Sequence, residues 1–216
     1  MRSYKNILKD TKDAAQKLKD VIPMHRFKDE EWHIVALSKG GLEIGSYLRE
    51  DSSNSIDFLF SHPIVAPHND DCEIARVSES EEIIIHEALV SAFEINYDYI
   101  YSQAHLKHED VILSEIYRYR KGRPFSDLRD KIVLLVDEGS ETGSRLLLGI
   151  KSVLAQKPKA VYLAVGVLPG DVLENLKQFV DNIFFLYSID DYVNTSLYYE
   201  KLEDIDDERV ENLLED

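Results

Sequence analysis

Cysteine occurs once in this chain of 216 residues, as Cys72. A lone thiol excludes an intramolecular disulfide framework and suits a reducing compartment, so a cytoplasmic protein is expected. No motif surrounds Cys72, which therefore reads as an unreactive structural thiol. Long apolar runs are absent as well, leaving no segment able to span a bilayer as a helix. The opening run Met1-Arg2-Ser3-Tyr4-Lys5 carries no apolar region of the signal-peptide kind. Positive charge is scarce: 25 Lys and Arg stand against 41 Asp and Glu, for a net charge of −16. That balance repels nucleic acid and anionic membrane, and no basic face offsets it, so neither is expected as a partner. There is also no internal repeat and no low-complexity linker. A chain of this length can bury a sizeable core without a second one, and a single domain over 1–216 is expected.

What is present is concentrated between residues 131 and 145. Lys131-Ile132-Val133-Leu134-Leu135-Val136 is a continuous β-branched and leucine run, as expected of a parallel strand covered on both faces. The acids Asp137 and Glu138 close it. The loop Gly139-Ser140-Glu141-Thr142-Gly143-Ser144-Arg145 then opens a helical pattern through Leu146, Leu147, Leu148, Ile150, Val153 and Leu154. Ligands of open α/β sheets sit at the carboxyl ends of strands, where the next helix offers free N–H groups and a favourable dipole to an anion. Small-residue loop and adjacent acids together suit a phosphorylated polyol, with carboxylates for its hydroxyls or for a metal. A plain strand–turn–helix, with the acids merely capping the helix, is the alternative this segment leaves open.

A second strand–loop–helix pattern runs through His33-Ile34-Val35-Ala36-Leu37-Ser38-Lys39-Gly40-Gly41-Leu42-Glu43-Ile44-Gly45. Its glycines allow backbone to approach a ligand closely, and Lys39 adds positive charge. Further buried strands are read at 159–169 and 182–187 with a short helix near 171–179 between them, an alternation that argues for parallel βαβ units. Strands are also expected at 33–37, 56–60 and 82–86, and an amphipathic helix over 6–18 with Ile7, Leu8, Ala14, Ala15 and Leu18 near one face. The loop at 67–71 resists interpretation. A helical stretch from about Tyr97 ends in Arg118-Tyr119-Arg120-Lys121-Gly122-Arg123-Pro124. Those cations complement a helix C-terminus that Gly122 could stop, or form a mobile basic flap. His105, His108 and Asp110 lie close in sequence, but without a second cluster a surface pair is the better reading than a metal site. The acids from Glu200 through Glu208 read as a solvated surface.

The 131–145 segment resembles the phosphoribosyl-pyrophosphate (PRPP) loop of type I phosphoribosyltransferases, where two acids precede a short loop ending in Thr-Gly. Ser38-Lys39-Gly40-Gly41 resembles the same family's pyrophosphate loop, and the stretch from Ser188 through Glu200 is similar to the end of predicted bacterial and archaeal phosphoribosyltransferases. The resemblance covers roughly 30–212. It implies an α/β fold, a mostly parallel sheet flanked by helices with a small hood. Divided on that pattern, 1–30 holds an N-terminal helix, 31–200 the core and hood, and 201–216 an acidic tail. The implied reaction moves phosphoribosyl from PRPP to a nucleobase-like acceptor, a purine being favoured, with release of pyrophosphate and with Mg²⁺ as cofactor.

The resemblance also distributes roles. Asp137 and Glu138 would hold the ribose hydroxyls directly or through Mg²⁺, and Gly139, Ser140, Thr142, Gly143, Ser144 and Arg145 would wrap the 5′-phosphate. Ser38, Lys39, Gly40 and Gly41 would bind pyrophosphate, with a cis peptide at Ser38–Lys39. Glu141 becomes a candidate general acid/base, with a solvated loop carboxylate as the alternative. On position rather than resemblance, since its segment leaves the ligand end of the sheet, Tyr192 is chosen to stack on the acceptor, with Asp190 or Asp191 to accept hydrogen bonds from its edge; packing within a tyrosine-rich tail is the alternative. Three departures bear on turnover. Glu138 stands where the family has Asp. Glu141 sits beside the phosphate nest, with Arg145 in place of a small hydroxyl residue and able to offset it on the phosphate. Phe60-Ser61-His62 replaces the usual basic residues. A catalytically weak relative that binds a nucleotide or sugar phosphate as a sensor or partner module is therefore the second reading. The resemblance leaves a homodimer open.

Overall fold

A computed structural model of the chain describes residues 7–23, 25, 32–49 and 55–215. Met1–Lys5, Asn6 at the start of the expected first helix, and Asp216 at the end of the expected tail lie outside the described residues. Five strands make a parallel sheet: β1 (Trp32–Ala36), β2 (Ser55–Phe58), β6 (Ile132–Gly139), β7 (Ala160–Pro169) and β8 (Asn182–Ile189), in the order β2-β1-β6-β7-β8. Three more, β3 (Ser61–Ala66), β4 (Asn69–Ser78) and β5 (Ile83–Ile85), form an antiparallel sheet inserted between β2 and β6. The strand read at 132–136 is thus the central one. The uninterpreted loop at 67–71 proves to be a tight hairpin between β3 and β4, with His68 at φ 63° making the turn.

Alternation along each parallel strand sends neighbouring side chains to opposite faces. Ile34, Leu134, Val136 and Ala164 pack on one face beneath α1 (Thr11–Val21) and α2 (Lys39–Arg49). Val35, Val133, Leu135 and Leu163 pack on the other with Leu146, Ile150 and Val153 of α6 (Ser144–Ala155) and Val172 and Leu173 of α7 (Gly170–Leu176). Both faces are buried, which is why these strands read as unbroken apolar runs. Each fully buried Leu or Val of β6 contributes about 1.5–3 kcal/mol relative to an exposed one.

The first helix begins later than its periodicity suggests. Asp10 caps it by accepting from the Asp13 N–H at 2.8 Å, so the helix starts at Thr11. Leu8 instead forms an isolated parallel bridge with Tyr199, donating to the Tyr198 carbonyl at 3.0 Å and accepting from the Glu200 N–H at 2.8 Å.

The hood is completed by α3 (Glu87–Ala92), α4 (Tyr97–Lys107), a π-helical turn (His108–Ile112) and α5 (Leu113–Arg120). Lys121 already adopts the left-handed conformation at φ 53°, one residue before the expected stop at Gly122, which follows at φ 77°. After β8 come a 3₁₀ turn (Thr195–Tyr198) and α8 (Asp207–Glu215). The tail expected to be merely solvated therefore ends in a helix whose Val210 and Leu213 are buried in the hood cluster with Phe60 and Tyr119. Among the described residues no helix is long and apolar enough to cross a membrane.

Candidate functional site

The Leu37 N–H donates to the Val136 carbonyl at 3.0 Å, so β1 and β6 end side by side and the loops that follow them meet. A Cβ on Gly41 would strike the Val136 carbonyl and lie 3.0 Å from the Asp137 Cα, so a glycine is what lets the first loop press against the second strand. Ser38 Oγ accepts from the Gly41 N–H at 2.9 Å and donates to the Glu138 carboxylate. The stretch Ser38–Gly41, expected as a loop, is a bend at Ser38 followed by the first turn of α2. The extra methylene that distinguishes Glu138 from Asp carries its carboxylate across to it. Among the described residues no peptide bond is cis, so the Ser38–Lys39 bond implied by the resemblance to be cis is trans.

Arg145 lies against the two acids. Its Nε donates to Asp137 Oδ2 at 2.8 Å, and its Nη2 donates to Asp137 Oδ1 at 3.0 Å, to Glu138 Oε1 at 3.3 Å and to the Gly139 carbonyl at 2.8 Å. It grips both acids in the forked geometry that guanidinium offers a carboxylate, and from there its charge also favours the ionised Glu141. Asp137 is fully buried and also accepts from the Gly139 N–H at 2.9 Å. Burial, and then the neighbouring Asp137 charge, push the Glu138 carboxyl up to about 7 against the opposing pull of Arg145 and Ser38. Burial opposes charge on Arg145, but Asp137 and Glu138 outweigh it and keep the guanidinium firmly protonated.

This donor set does not suit a directly bound Mg²⁺. Asp137 Oδ1 and Oδ2 and Glu138 Oε1 face a guanidinium, and Glu138 Oε2 accepts from Ser38. A dication there would meet a fixed positive charge, and among the described residues no group of three or more His, Cys, Asp or Glu is placed to hold a metal.

In the second loop Gly143 is left-handed at φ 75°, and a Cβ there would lie 2.6 Å from Val172 Cγ1. Ser140 Oγ accepts from the Gly143 N–H at 3.1 Å, Thr142 Oγ1 accepts from the Ser144 N–H at 3.3 Å, and α6 begins at Ser144. The Glu141 carboxylate accepts from the N–H of Thr195 at 2.9 Å and from its hydroxyl at 2.8 Å. Burial pushes its pKa up, but these bonds outweigh it and hold the group below the usual carboxylate value. The Tyr192 hydroxyl shares Thr195 Oγ1 at 2.8 Å, and its ring packs on Tyr198 at a centroid distance of 4.8 Å. Tyr192, the residue chosen for stacking on an acceptor, therefore belongs to a packed network, while Asp190 and Asp191 are exposed.

A cleft of about 390 Å³ opens over Ser38–Gly40 and Glu138. Ser38, Lys39, Gly40, Glu138 and Arg145 line its floor, and Phe60, Ser61, His62 and Arg76 of the hood face them. Tyr119 and the segment Leu202-Glu203-Asp204 close the sides. Thr142, Gly143 and Ser144 line a different cavity, beside Ile84, Ile85 and His86 of the hood. The second loop is thus divided, with Arg145 in the cleft over the first and Thr142–Ser144 in the other cavity, while Asp190, Asp191 and Tyr192 line neither. Arg76, Tyr119 and residues 202–204 are cleft residues that the sequence alone does not expose, because hood strands and tail come together only in space.

Lys39 Nζ donates to the Ile205 carbonyl at 3.2 Å and lies 3.6 Å from Asp207. The basic stretch after α5 is likewise engaged. Arg118 pairs with Asp207, Arg120 with Glu79 inside the hood, and Lys121 with Glu211 at 3.5 Å. It is a set of anchors for α8 and the hood rather than a flap. His105 pairs with Glu109 at 3.5 Å and His108 with the Glu79 carbonyl at 3.1 Å, so they do not converge on a metal.

No family model matches the chain. Among solved structures, the protein TT1426 of Thermus thermophilus matches with a TM-score of 0.74 at 22% identity, over 96% of this chain and 97% of that one. A hypoxanthine phosphoribosyltransferase of Staphylococcus aureus matches at 0.49 and 14% identity, over 85% of this chain and 77% of its own. A hypoxanthine-guanine phosphoribosyltransferase of Bacillus anthracis matches at 0.48 and 13%, over 93% and 96%. The match to TT1426 shows a shared fold, which here is a mostly parallel five-stranded sheet flanked by helices with a small antiparallel sheet beside it. An identity of 22% speaks to fold alone, and the two phosphoribosyltransferase matches, both below 0.5, carry no argument.

Proposed function

We propose that the cleft binds a phosphoribosyl compound, PRPP in the first instance, and passes its phosphoribosyl group to a nucleobase-like acceptor, a purine by preference. The observation that carries this reading is the meeting of two glycine-bearing loops, Ser38–Gly41 and Gly139–Arg145, at the adjoining carboxyl ends of β1 and β6. In the reaction the C1′–oxygen bond breaks and its electron pair leaves with pyrophosphate, while an acceptor nitrogen bonds to C1′ and gives up its proton. Lys39 and Arg145 supply positive charge to the departing phosphates. Glu138, not Glu141, is the cleft carboxylate poised near neutrality to take the proton, since Glu141 is tied down by Thr195. Asp137 holds Arg145 in place. The resemblance assigns Mg²⁺ to this chemistry, yet the carboxylates present do not suit it, and no step here is routed through the metal.

Binding without turnover is the second reading, favoured by the Arg145 fork, which occupies both oxygens of the acid expected to hold ribose. Calorimetry with PRPP, followed by a pyrophosphate-release assay across a panel of bases, separates the two. Release with one base supports transfer; tight binding with no release supports the module. Absence of binding by PRPP and by nucleotides overturns both.

A further inference from the structure

We infer that Arg145 takes the place of a divalent cation in this cleft, so that the phosphorylated ligand binds without metal. The inference rests on the proposed ligand class and goes further, to how the site balances its charge. Two adjacent carboxylates at a strand end form a trap for a cation, and here a side chain of the same chain is the cation. Its Nε and Nη2 carry all the hydrogen bonds to Asp137, Glu138 and Gly139. The side chain nonetheless keeps 24% of its surface exposed and lines the cleft floor beside Ser38 and Lys39. The guanidinium can therefore neutralise the acids with one edge and present its Nη1 edge to an anion, which a bridging metal would otherwise do.

Arg145 follows Ser144 at the start of α6, while Asp137 lies two residues before the end of β6, so the pair spans the loop and ties its two flanking elements together. The same fork that replaces the metal thus shapes the loop before ligand arrives. A metal added to the wild-type site would have to displace a bidentate, buried ion pair, which is costly because it strands a charge.

The test is calorimetric titration of PRPP into the full chain with excess EDTA and again with saturating Mg²⁺, alongside Mn²⁺ titration of the ligand-free protein followed by its paramagnetic resonance. The expected result is a Kd for PRPP that agrees within about threefold between the two conditions, and no Mn²⁺ uptake. Arg145→Thr should take up Mn²⁺ and bind PRPP at least about tenfold tighter with Mg²⁺ than with EDTA. Arg145→Lys, which keeps the charge and loses the fork, should stay metal-independent but bind more weakly. If Arg145→Thr does not fold, the wild-type comparison decides. Wild-type binding that vanishes in EDTA and returns with Mg²⁺ overturns the inference while leaving the proposed ligand standing. Failure to bind under either condition removes the ligand proposal and the inference with it.

Discussion

Glu138 meets Ser38, Arg145 and Asp137 with its carboxylate, and its carbonyl accepts from the Tyr199 hydroxyl at 2.8 Å. Its pKa rises from 4.5 in the unfolded chain to about 7 in the fold, so between those values the native state holds the extra proton. This group's stabilising contribution is complete below about pH 4.5 and is lost as pH climbs through about 7. Thermal melts at pH 5 and pH 8 should show a smaller drop in Glu138→Gln than in wild type; equal drops would place the titration elsewhere. Gly166 makes a stricter demand. A Cβ there would strike the Tyr199 hydroxyl and lie 2.5 Å from the Glu138 carbonyl, so Gly166→Ala should destabilise the protein by about 1–3 kcal/mol. Adding Tyr199→Phe should restore part of that loss, and a double variant as unstable as the sum of the singles would show that the hydroxyl is not the obstacle. At this scale the sequence displays residue types but not their partners. Asp137, Glu138 and Lys39 are visible at strand ends. That Arg145 turns onto the acids, and that Glu141 is consumed by Thr195 from 54 residues away, are outcomes of tertiary packing.

At the level of elements, α8 is the piece whose meaning changes most. Its acids invite a solvated reading, but Val210 and Leu213, three apart, turn one stripe inward. Leu213→Ala should cost about 2–4 kcal/mol in chemical denaturation. Asp207→Asn, which removes the exposed partner of Arg118 and Lys39, should change stability by less than about 1 kcal/mol. If the two variants rank the other way, ion pairs and not apolar packing hold the helix. The β6 and β7 strands were legible because burial on both faces leaves an unmistakable run, whereas α8 is short and its two apolar positions are swamped by charge. The β3–β4 hairpin was illegible for a related reason: one face is half-exposed, the strands are mixed in character, and the turn rests on His68 rather than on glycine.

On the scale of the whole molecule, Ile56 packs against both the sheet cluster beneath α1 and the hood cluster, so the parallel sheet and the hood share side chains. Urea unfolding followed by the emission of Trp32, which is 2% exposed and stacked on Tyr162 at 5.0 Å, should coincide with unfolding followed by far-ultraviolet circular dichroism. Two separated transitions would mean that hood and sheet fold as independent units. The sheet order follows from alternation of strands and helices together with the handedness of crossovers, both readable from sequence. The cleft between hood and sheet was not readable, because its walls come from elements that pattern alone cannot place against one another.

The bridge between Leu8 and Tyr199 also sets a schedule for biosynthesis. Leu8 leaves the ribosome roughly 190 residues before its partner, an interval of about 10–40 s at ordinary elongation rates. Through that time Ala14, Ala15 and Leu18 lack Phe184, Ile189 and Tyr198, with which they share a cluster in the finished protein. Helix α1, translated long before β8, is therefore fully seated only late, and a nascent chain stalled before β8 would display its apolar stripe to any chaperone within reach.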